Sequence, residues 1–335
     1  MSARLLVVIP CLNEEAHLPA LLDAMCADPA AAGARIVVAD GGSSDRSQEI
    51  ARERAAADAR ITLLANPKRI QSAGVNLAVR AFGADADLLV RLDAHAAYPP
   101  NYISQLVAAQ VESGADSVTV SMRAIAQDDR CFQRAAAAAQ NSMLGTGGSP
   151  HRGGGARRWV DHGHHALLKL AAFRTVGGYD ESFTHNEDAE LDVRLTRAAA
   201  RILLAADILI DYFPRASAPV LARQYFNYGR GRARTALKHR TPLKPRQLVP
   251  IAIAPLAALA LLSPLTPWAA LPAAAWLAAC LAYGAWLGLR ARSWCAAAAG
   301  LPAAIMHIAW SAGFLRELAR TSGAKARAAA LEKEA

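Results

Sequence analysis

The chain lacks the short motifs that would place it in several large classes of protein. Its five cysteines have no C-x-x-C spacing, so we expect neither a zinc site nor a disulfide framework. We therefore expect the protein to occupy a reducing compartment. The turn after the first predicted strand reads PCLNE rather than G-x-G-x-x-G, and G-x-x-x-x-G-K-[ST] is absent. A Rossmann dehydrogenase and a P-loop enzyme are therefore disfavoured. The N-terminus lacks an apolar region with a cleavage site, so we expect no secretory signal.

Two long segments lack charge. No Asp, Glu, Lys or Arg occurs in residues 247–289 or 293–315, and about 20 apolar residues span the hydrocarbon core of a bilayer. We predict a membrane region at 247–320, followed by a polar tail at 321–335. Its transmembrane helices are expected at about 248–265, 268–289 and 293–315. The alternative is the Ala-rich helical core of a soluble domain, which rarely has a charge-free run of this length.

The orientation of these helices follows from the basic residues beside them. Lys244 and Arg246 precede the first helix, and Arg290 and Arg292 follow the second. The positive-inside rule places both pairs in the cytosol. A third crossing would put Arg316 outside, against that rule. Whether the third segment spans the membrane, re-enters it or lies flat is left open by the sequence.

Acidic residues are also absent from residues 215–246, which contain nine Lys and Arg. This segment alone accounts for the net charge of +9. It directly precedes the apolar region, so we expect a basic interfacial linker that meets an anionic membrane surface or a lipid phosphate. Nucleic acid is the disfavoured partner.

The first 98 residues alternate predicted strands and helices. Apolar runs begin at Leu5, Ile36, Ile61 and Leu88, and segments with helical spacing separate them. Short connections in a β-α-β order predict an α/β protein with a mostly parallel, doubly wound sheet.

Two possible metal ligands, Asp93 and His95, follow the central apolar run of this sheet. Ligands bind at the carboxyl edge of open α/β sheets. A spacing of two along an extended chain points both side chains to one side. We expect the pair to hold one divalent ion together with a diphosphate. The alternative is that Asp93 caps a turn and His95 faces solvent.

Residues 145–158 are rich in Gly, Arg and Ser and break all periodicity. They form either a plain surface loop or a lid whose arginines, Arg152 among them, order over bound phosphates. The following DHGHH at 161–165 has no fourth metal ligand at a recognisable spacing, so we favour a polar strand that lines a cleft. The residues that we assign to this cleft or lid surface are Arg157, Arg158, Trp159, His164, His165 and Glu187.

Five motifs together resemble family-2 glycosyltransferases with the GT-A fold, in the order and spacing of that family. They are VIPCLNEE at 8–15, VADGGSSD at 38–45, DAH at 93–95, FRTVGGYDE at 173–181 and NEDAEL at 186–191. The resemblance implies a GT-A domain at 1–214, with a nucleotide-binding half at 1–98 and an acceptor half at 99–214. It also implies a nucleotide-sugar donor.

The resemblance assigns roles at the donor site. Asp40 would accept from a uracil N–H, and Arg69 resembles the cationic contact of the family to the nucleotide. Asp93 and His95 stand where the family has Asp-x-Asp, which implies a bound Mn²⁺ or Mg²⁺. Imidazole is the poorer ligand for Mg²⁺, so His95 is a departure from the pattern. The residues expected around the donor are Pro10, Asn13, Glu14, Asp40, Arg69 and Asp93.

Asp188 is the expected catalytic base. It belongs to the Glu-Asp motif of the family and lies near the start of a predicted helix, whose dipole lowers a carboxyl pKa. A single base that takes the acceptor proton on the face opposite the leaving diphosphate gives inversion. The alternative for Glu187, Asp188 and Glu190 is an acidic first turn selected for the helix dipole.

The segment QYFNYGRGR at 224–232 occupies the place of Gln-x-x-Arg-Trp in processive synthases of the family. Asn227 and Tyr228 replace the Arg-Trp pair, which implies one sugar per encounter. We assign Tyr228, Arg230 and Arg232 to acceptor or membrane-interface contacts.

The whole chain resembles membrane-associated members of the family of the ExoA type, which act in succinoglycan synthesis. This implies transfer of glucose from UDP-glucose to a polyprenyl-diphosphate-linked saccharide, at the cytosolic face of a bacterial inner membrane, alongside other polysaccharide-assembly proteins. Transfer to a simple polyprenyl phosphate is one alternative. A membrane protein that binds a nucleotide-sugar without turnover is the other.

Overall fold

The computed structural model describes residues 3–149, 151–152, 154–243 and 245–334, without the side-chain surroundings of 245–246 and 323–334. The chain divides into two compact units. The first comprises Met1–Arg123 and Pro150–Tyr212, and the second comprises Ala124–Ser149 and Phe213–Ala335. The family resemblance implies that residues 124–149 belong to the acceptor half, whereas their contacts group them with the C-terminal helices.

The secondary structure elements follow in chain order. The strands are β1 (Leu5–Cys11), β2 (Arg35–Asp40), β3 (Ile61–Ala65), β4 (Leu88–Arg91), β5 (Ala96–Ala97), β6 (Ser117–Ala124), β7 (Arg158–Val160), β8 (His164–Lys169) and β9 (Ile202–Tyr212). The helices of the first unit are α1 (Leu18–Cys26), α2 (Ser47–Ala57), α3 (Gln71–Phe82), α4 (Tyr102–Ser113), α7 (Leu170–Thr175) and α8 (Glu187–Arg197). Those of the second are α5 (Cys131–Gln140), α6 (Met143–Thr146), α9 (Ala218–His239), α10 (Pro245–Ile251), α11 (Ile253–Leu259), α12 (Leu271–Ala291), α13 (Trp294–Ala297) and α14 (Gly300–Glu334).

The strands form one sheet in the order β3-β2-β1-β4-β8-β6-β9-β5, and β7 pairs with β9. The neighbours β3, β2, β1 and β4 run parallel, which confirms the predicted α/β sheet of the first half. From β8 onward the sheet is mixed, because β8 runs antiparallel to both β4 and β6. The predicted mostly parallel character therefore holds for the first four strands alone.

The central strand β4 is buried from Leu88 through Arg91. A parallel strand covered on both faces reads as a continuous apolar run, which is why the sequence identifies it. We predicted an extended chain to His95, but the strand ends at Arg91. The hydroxyl of Tyr98 accepts from the Asp93 N–H at 2.7 Å and donates to the Asp93 carbonyl at 2.9 Å. The backbone of Asp93 therefore bonds to this side chain rather than to a neighbouring strand.

Three further elements have boundaries that the structure defines. Strand β9 continues unbroken from Ile202 to Tyr212, with Asp207 exposed in its middle. Helix α4 begins at Tyr102, after Asn101 with a left-handed φ of 54°. Helices α5 and α6 are separate, and the amide of Asn141 between them bonds the backbone of Ala124.

In the second unit, α9 and α14 pack with close backbone approach. A Cβ added to Gly229 of α9 would overlap the carbonyl oxygen of Trp310, and one added to Gly313 of α14 would overlap that of Phe226. Small residues of this kind allow two helices to approach closely, in membranes as in water. The predicted basic linker thus contains a 22-residue helix that is anchored along α14.

We expect Gly313→Ala to lower the unfolding temperature of the purified protein clearly. The added methyl must displace the Phe226 backbone, and overpacking of this kind costs about 1–3 kcal/mol. Gly33→Ala is the matched control, because a Cβ there meets nothing within 4 Å. Equal unfolding temperatures for the two variants in the same detergent would contradict the close packing of α9 on α14.

Two described helical segments are long and apolar enough to cross a membrane, Pro267–Ala291 and Trp294–Ser322. They correspond to the second and third predicted spans. The first, predicted at 248–265, is not one helix but α10, α11 and a 3₁₀ turn at Ala260–Leu262.

The break between α10 and α11 has a chemical cause. Proline at 255 has no N–H to bond the carbonyl of Ile251, which lies four residues earlier. The buried hydroxyl of Ser311 on α14 donates to that carbonyl at 2.7 Å and accepts from the N–H of Ala254 at 3.0 Å. A neighbouring helix thus satisfies the freed backbone groups.

The expectation of no disulfide is wrong. Cys131 of α5 and Cys295 of α13 form one, with their Cα atoms 4.9 Å apart. Their sequence separation of 164 residues gave no local spacing from which to predict it. Cys11, Cys26 and Cys280 are thiols.

Candidate active site

A buried arginine, Arg91 at the end of β4, is the centre of the site. Its guanidinium lies 2.6 Å from Asp188, 3.1 Å from Glu187 and 3.3 Å from Asp93. It also donates to Gln71 at 3.0 Å. The side chain is 3% exposed, so three carboxylates surround one cation in a region of low dielectric. The sequence placed Arg91 in the central strand, but we did not predict a role for it.

Asp93 lies just past the strand, in reach of two groups. Its Oδ1 pairs with Arg91, and its Oδ2 lies 3.6 Å from Nε2 of His164 on β8. Burial alone would raise the pKa of Asp93, but Arg91 and His164 lower it below its usual value. Asp93 is therefore an anionic group at the carboxyl edge of the sheet.

His95 lies beside Glu14, and its charge is one of those that lower the pKa of Asp93. The chain turns at 94–95, so the argument from extended geometry is wrong. Nδ1 of His95 lies 3.0 Å from Oε1 of Glu14, whose Oε2 lies 3.3 Å from His17. Among the described residues, no three or more His, Cys, Asp or Glu side chains are grouped to hold a metal.

Asp188 is the second residue of α8 and is 15% exposed at its side chain. Its Oδ1 accepts from Arg91 at 2.6 Å and from the hydroxyl of Tyr179 at 3.0 Å. Burial alone would raise the pKa of Asp188, but Arg91 and His165 hold it well below the usual range. Asn186 precedes the helix with a left-handed φ of 61°, and its side chain makes no capping hydrogen bond.

Glu187 has the opposite character. Its burial raises its pKa to about 7, against the pull of Arg91, and the neighbouring Asp188 charge adds to the rise. The pKa values of the two adjacent carboxyls therefore differ widely: that of Asp188 is lowered and that of Glu187 is raised.

Glu187→Gln should change the pH dependence of stability. A carboxyl with a raised folded-state pKa binds more protons folded than unfolded, so the wild type loses stability as pH rises from about 4.5 to about 7. The variant lacks this loss. Relative to wild type, its unfolding temperature should rise between about pH 5 and about pH 8. A difference that stays constant over this range would show that Glu187 titrates normally.

The histidines after β7 divide into two environments. His164 lies between Oδ2 of Asp93 at 3.6 Å and Oδ2 of Asp188 at 3.7 Å, and burial lowers its pKa. His165 is fully buried, so its predicted place on an acceptor surface is wrong. Its Nε2 lies 2.6 Å from Asp192 of α8. This buried partner was missed, although Asp192 lies one helical turn after Asp188.

The loops after β1 and β2 come together at the predicted donor site. The side chain of Asn13 accepts from the Ser44 N–H at 2.8 Å, and the Asn13 N–H donates to Ser43 Oγ at 2.9 Å. Pro10 lies in buried β1, in register with β2. The VIPCLNEE and VADGGSSD motifs are thus one structural unit.

Asp40 is used by its own loop. Its carboxylate accepts from the N–H of Gly42 at 2.8 Å and from the hydroxyl of Ser43 at 2.5 Å, and the residue is 4% exposed. The predicted bond to a uracil N–H therefore competes with these donors. Arg69 has a left-handed φ of 59°. Its backbone lies close to Gly41, because a Cβ added to Gly41 would be 3.3 Å from the Cα of Arg69.

Two of the predicted lid arginines, Arg157 and Arg158, lie beside β9. Arg157 pairs with Glu112 at 2.6 Å and with Asp207 at 2.9 Å. Arg158 and Trp159 belong to β7, and Arg201 stacks 3.9 Å above the Trp159 ring. Arg152 forms a parallel backbone bridge with Met122 of β6.

Tyr228, Arg230 and Arg232 lie on α9 of the second unit. The hydroxyl of Tyr228 accepts from Gln224 at 3.1 Å, and Arg230 pairs with buried Glu317 of α14 at 3.2 Å. These contacts fix the basic helix within its own unit.

Comparison with known proteins agrees with this architecture. Residues 6–177 match the family described as Glycosyl transferase family 2. The chain is 50% identical over 317 residues to the succinoglycan biosynthesis protein ExoA of Rhizobium meliloti (strain 1021), with 95% of this chain and 96% of that protein covered. It is 37% identical over 126 residues to an undecaprenyl-phosphate 4-deoxy-4-formamido-L-arabinose transferase of Aeromonas hydrophila subsp. hydrophila, with 36% and 37% covered.

A solved structure supports the fold. The mannosyltransferase PcManGT of Pyrobaculum calidifontis, in complex with GDP-Man and Mn²⁺, is similar with a TM-score of 0.56 and 20% identity, covering 92% of this chain and 88% of that one. At this identity the similarity concerns the fold alone. The extended family match and the relative of 50% identity establish the rest: the chain is a glycosyltransferase with the GT-A fold and belongs to glycosyltransferase family 2.

Proposed function

We propose that this enzyme transfers glucose from UDP-glucose to a polyprenyl-diphosphate-linked saccharide during exopolysaccharide assembly. The name of the relative that is 50% identical supports the pathway. The site is supported chiefly by one observation, the pairing of Asp188 with Arg91 beside Asp93. The two apolar helical segments support action at a membrane, which we take to be the bacterial inner membrane with the first unit in the cytosol.

Asp188 is the proposed general base. With Oδ1 bonded by Arg91 and Tyr179, Oδ2 takes the proton of the acceptor hydroxyl as that oxygen attacks the anomeric carbon. The bond from that carbon to the diphosphate breaks in the same displacement, and UDP leaves with the electron pair. The single displacement inverts the anomeric centre.

A divalent ion fits this site through Asp93 more than through His95. Oδ2 of Asp93 faces a His164 whose lowered pKa keeps it neutral, and neutral imidazole is a metal ligand. Ions bound with nucleotides take one or two carboxylates and fill their remaining positions with phosphate oxygens and water. Mn²⁺ or Mg²⁺ bound there would neutralise charge on the leaving diphosphate.

Donor recognition is proposed at the joined loops of β1 and β2. Pro10, Asn13 and Glu14 line this edge with Asp40 and Arg69, where a nucleotide would approach the backbone. We place the acceptor lipid with the basic helix α9, whose Tyr228, Arg230 and Arg232 suit a phosphate-bearing headgroup at the membrane surface. Partner proteins of polysaccharide assembly would meet the enzyme at that membrane.

A second acceptor has specific support. The relative with 37% identity over 126 residues is named for transfer to undecaprenyl phosphate, which is a monophosphate acceptor. Transfer to polyprenyl phosphate is therefore the alternative, and the phosphate state of the lipid product separates the two.

UDP release from UDP-glucose, UDP-galactose and GDP-mannose tests the donor. The protein would be held in bilayer discs with Mn²⁺, Mg²⁺ or EDTA, with and without a membrane lipid extract. We expect release from UDP-glucose that needs both metal and lipid. If the protein binds UDP but releases no nucleotide from any of the three donors, the binding-only alternative is supported. If UDP release continues in EDTA, the reaction does not need a divalent ion.

A further inference from the structure

His165 lies between two carboxylates of one helix. Its Nε2 is 2.6 Å from Oδ1 of Asp192, and its Nδ1 is 3.3 Å from Oδ1 of Asp188. Asp188 and Asp192 are four residues apart on α8 and therefore share a face. Both His165 and Asp192 are almost completely buried, at 0% and 1% exposure. Asp188, the proposed base, therefore lies beside the buried pair of His165 and Asp192.

The hydrogen bonds fix the protonation of His165. Tyr179 has one hydroxyl proton, which it donates to Asp188 at 3.0 Å, and its oxygen accepts from Arg91 at 3.2 Å. Nδ1 of His165, 3.0 Å from the same oxygen, must then donate to it. Asp192 is an acceptor on the other side of the ring, so Nε2 donates as well. Both ring nitrogens carry protons, which is the imidazolium form.

The other carboxylate oxygen of Asp192, Oδ2, also has partners. It accepts from the N–H of Gly163 at 3.2 Å and lies 2.7 Å from Nδ1 of His162. The turn between β7 and β8 therefore fixes the carboxylate that orients His165. This order, in which a second group fixes the orientation of the residue that contacts the reactive group, is common at catalytic centres.

We propose that Asp192 and His165 are positioning residues for Asp188, which saturate Oδ1 and leave Oδ2 to accept the proton. Arg91 and Tyr179 donate to Oδ1, and Nδ1 of His165 lies 3.3 Å from the same oxygen, whereas Oδ2 faces His164 at 3.7 Å. The proposal rests on the proposed function, because it assigns roles relative to the base of that reaction.

Stability alone does not account for this arrangement. Buried ion pairs are often replaced by apolar groups at no cost in stability, so the buried His165–Asp192 pair is weak evidence for a structural purpose. The same pair places Nδ1 of His165 3.3 Å from Oδ1 of Asp188.

Other charged groups face the pair and enter any titration. Arg91 of β4 and His164 of β8 face Asp188, and Tyr179 faces His165. Glu187 of α8 shares Arg91 with Asp188. His162 faces Asp192 from the turn before β8. The test therefore compares variants at one pH.

Asp192→Asn is the first test variant. Misplacement of a catalytic group by about 1 Å costs about 100-fold in rate, so we expect kcat to fall about 10-fold to 100-fold with KM for UDP-glucose nearly unchanged. In an Asp188→Asn background the same change should cost almost nothing, because the residue acts through Asp188. Glu190→Gln is the matched control, since Glu190 is equally buried on α8 but pairs with Arg194, and it should keep kcat.

Two results would overturn the proposal. One is an Asp192→Asn enzyme with unchanged kcat, and the other is an equal loss in the wild-type and Asp188→Asn backgrounds. If Asp192→Asn does not fold, His165→Gln is tested in the same two backgrounds. If instead the wild-type enzyme transfers no sugar, or Asp188→Asn is fully active, the proposed function itself fails. This outcome differs from the two results that would overturn the positioning roles alone.

Discussion

Asp188→Asn lowers kcat for sugar transfer by about 10²–10⁴-fold, the usual contribution of a general base. The amide keeps the shape of the side chain but cannot take the acceptor proton. Binding of UDP should change little, because the joined loops of β1 and β2 hold the predicted nucleotide contacts. Single-turnover transfer of labelled glucose measures the chemical step, and calorimetry with UDP measures binding.

Asp23→Asn is the control for this prediction. Asp23 is a half-exposed carboxylate that pairs with Arg54 on the surface. We expect kcat within about twofold of wild type, since exposed pairs contribute little. An Asp188→Asn enzyme with wild-type kcat would remove Asp188 from the reaction, and Glu187, with its raised pKa, would become the base to test.

Arg91→Met lowers the free energy of unfolding by about 3–5 kcal/mol, the cost of removing one partner from a buried charge cluster. The guanidinium is 3% exposed and pairs with three carboxylates, which would be left facing one another. Arg91→Lys should recover part of the loss, because it restores the charge without the planar fork. Urea unfolding of the detergent-solubilised protein, followed by tryptophan fluorescence, measures both variants.

The loss should depend on pH in a defined direction. Arg91 lowers the pKa of Asp93 and Asp188, so their contribution is present above their unfolded-state pKa and is lost as pH falls. The deficit of Arg91→Met should therefore shrink below about pH 4. Arg54→Met, which removes a surface partner of Asp23, should cost about 0–1 kcal/mol at any pH. Equal losses for the two methionine variants would contradict the central place of Arg91.

The part of the fold that the sequence predicted is the part with local patterns. Apolar runs of β1, β2 and β4 are buried on both faces, so each reads as a strand without reference to the rest of the chain. The antiparallel half is different. Strand β8 enters between β4 and β6, and that position depends on tertiary pairing rather than on its own residues.

The same division holds at the site. Asp93 and Asp188 lie in short motifs that the family resemblance identified. Arg91 was missed because an arginine in an apolar strand has no motif, although its place two residues before Asp93 was a signal. Asp192 and His165 meet across 27 residues of sequence, so their pairing could be seen only in the structure. The disulfide between Cys131 and Cys295 is a long-range contact of the same kind.

The most direct test of the account is the anomeric configuration of the lipid product. Protein in bilayer discs would receive α-linked UDP-glucose labelled with carbon-13 at the anomeric carbon, together with the membrane lipid extract, and the lipid fraction would be analysed by NMR. Transfer by a single displacement with Asp188 as base predicts a lipid-linked β-glucoside. An α-linked product, or labelled glucose found only as the free sugar, would contradict the account.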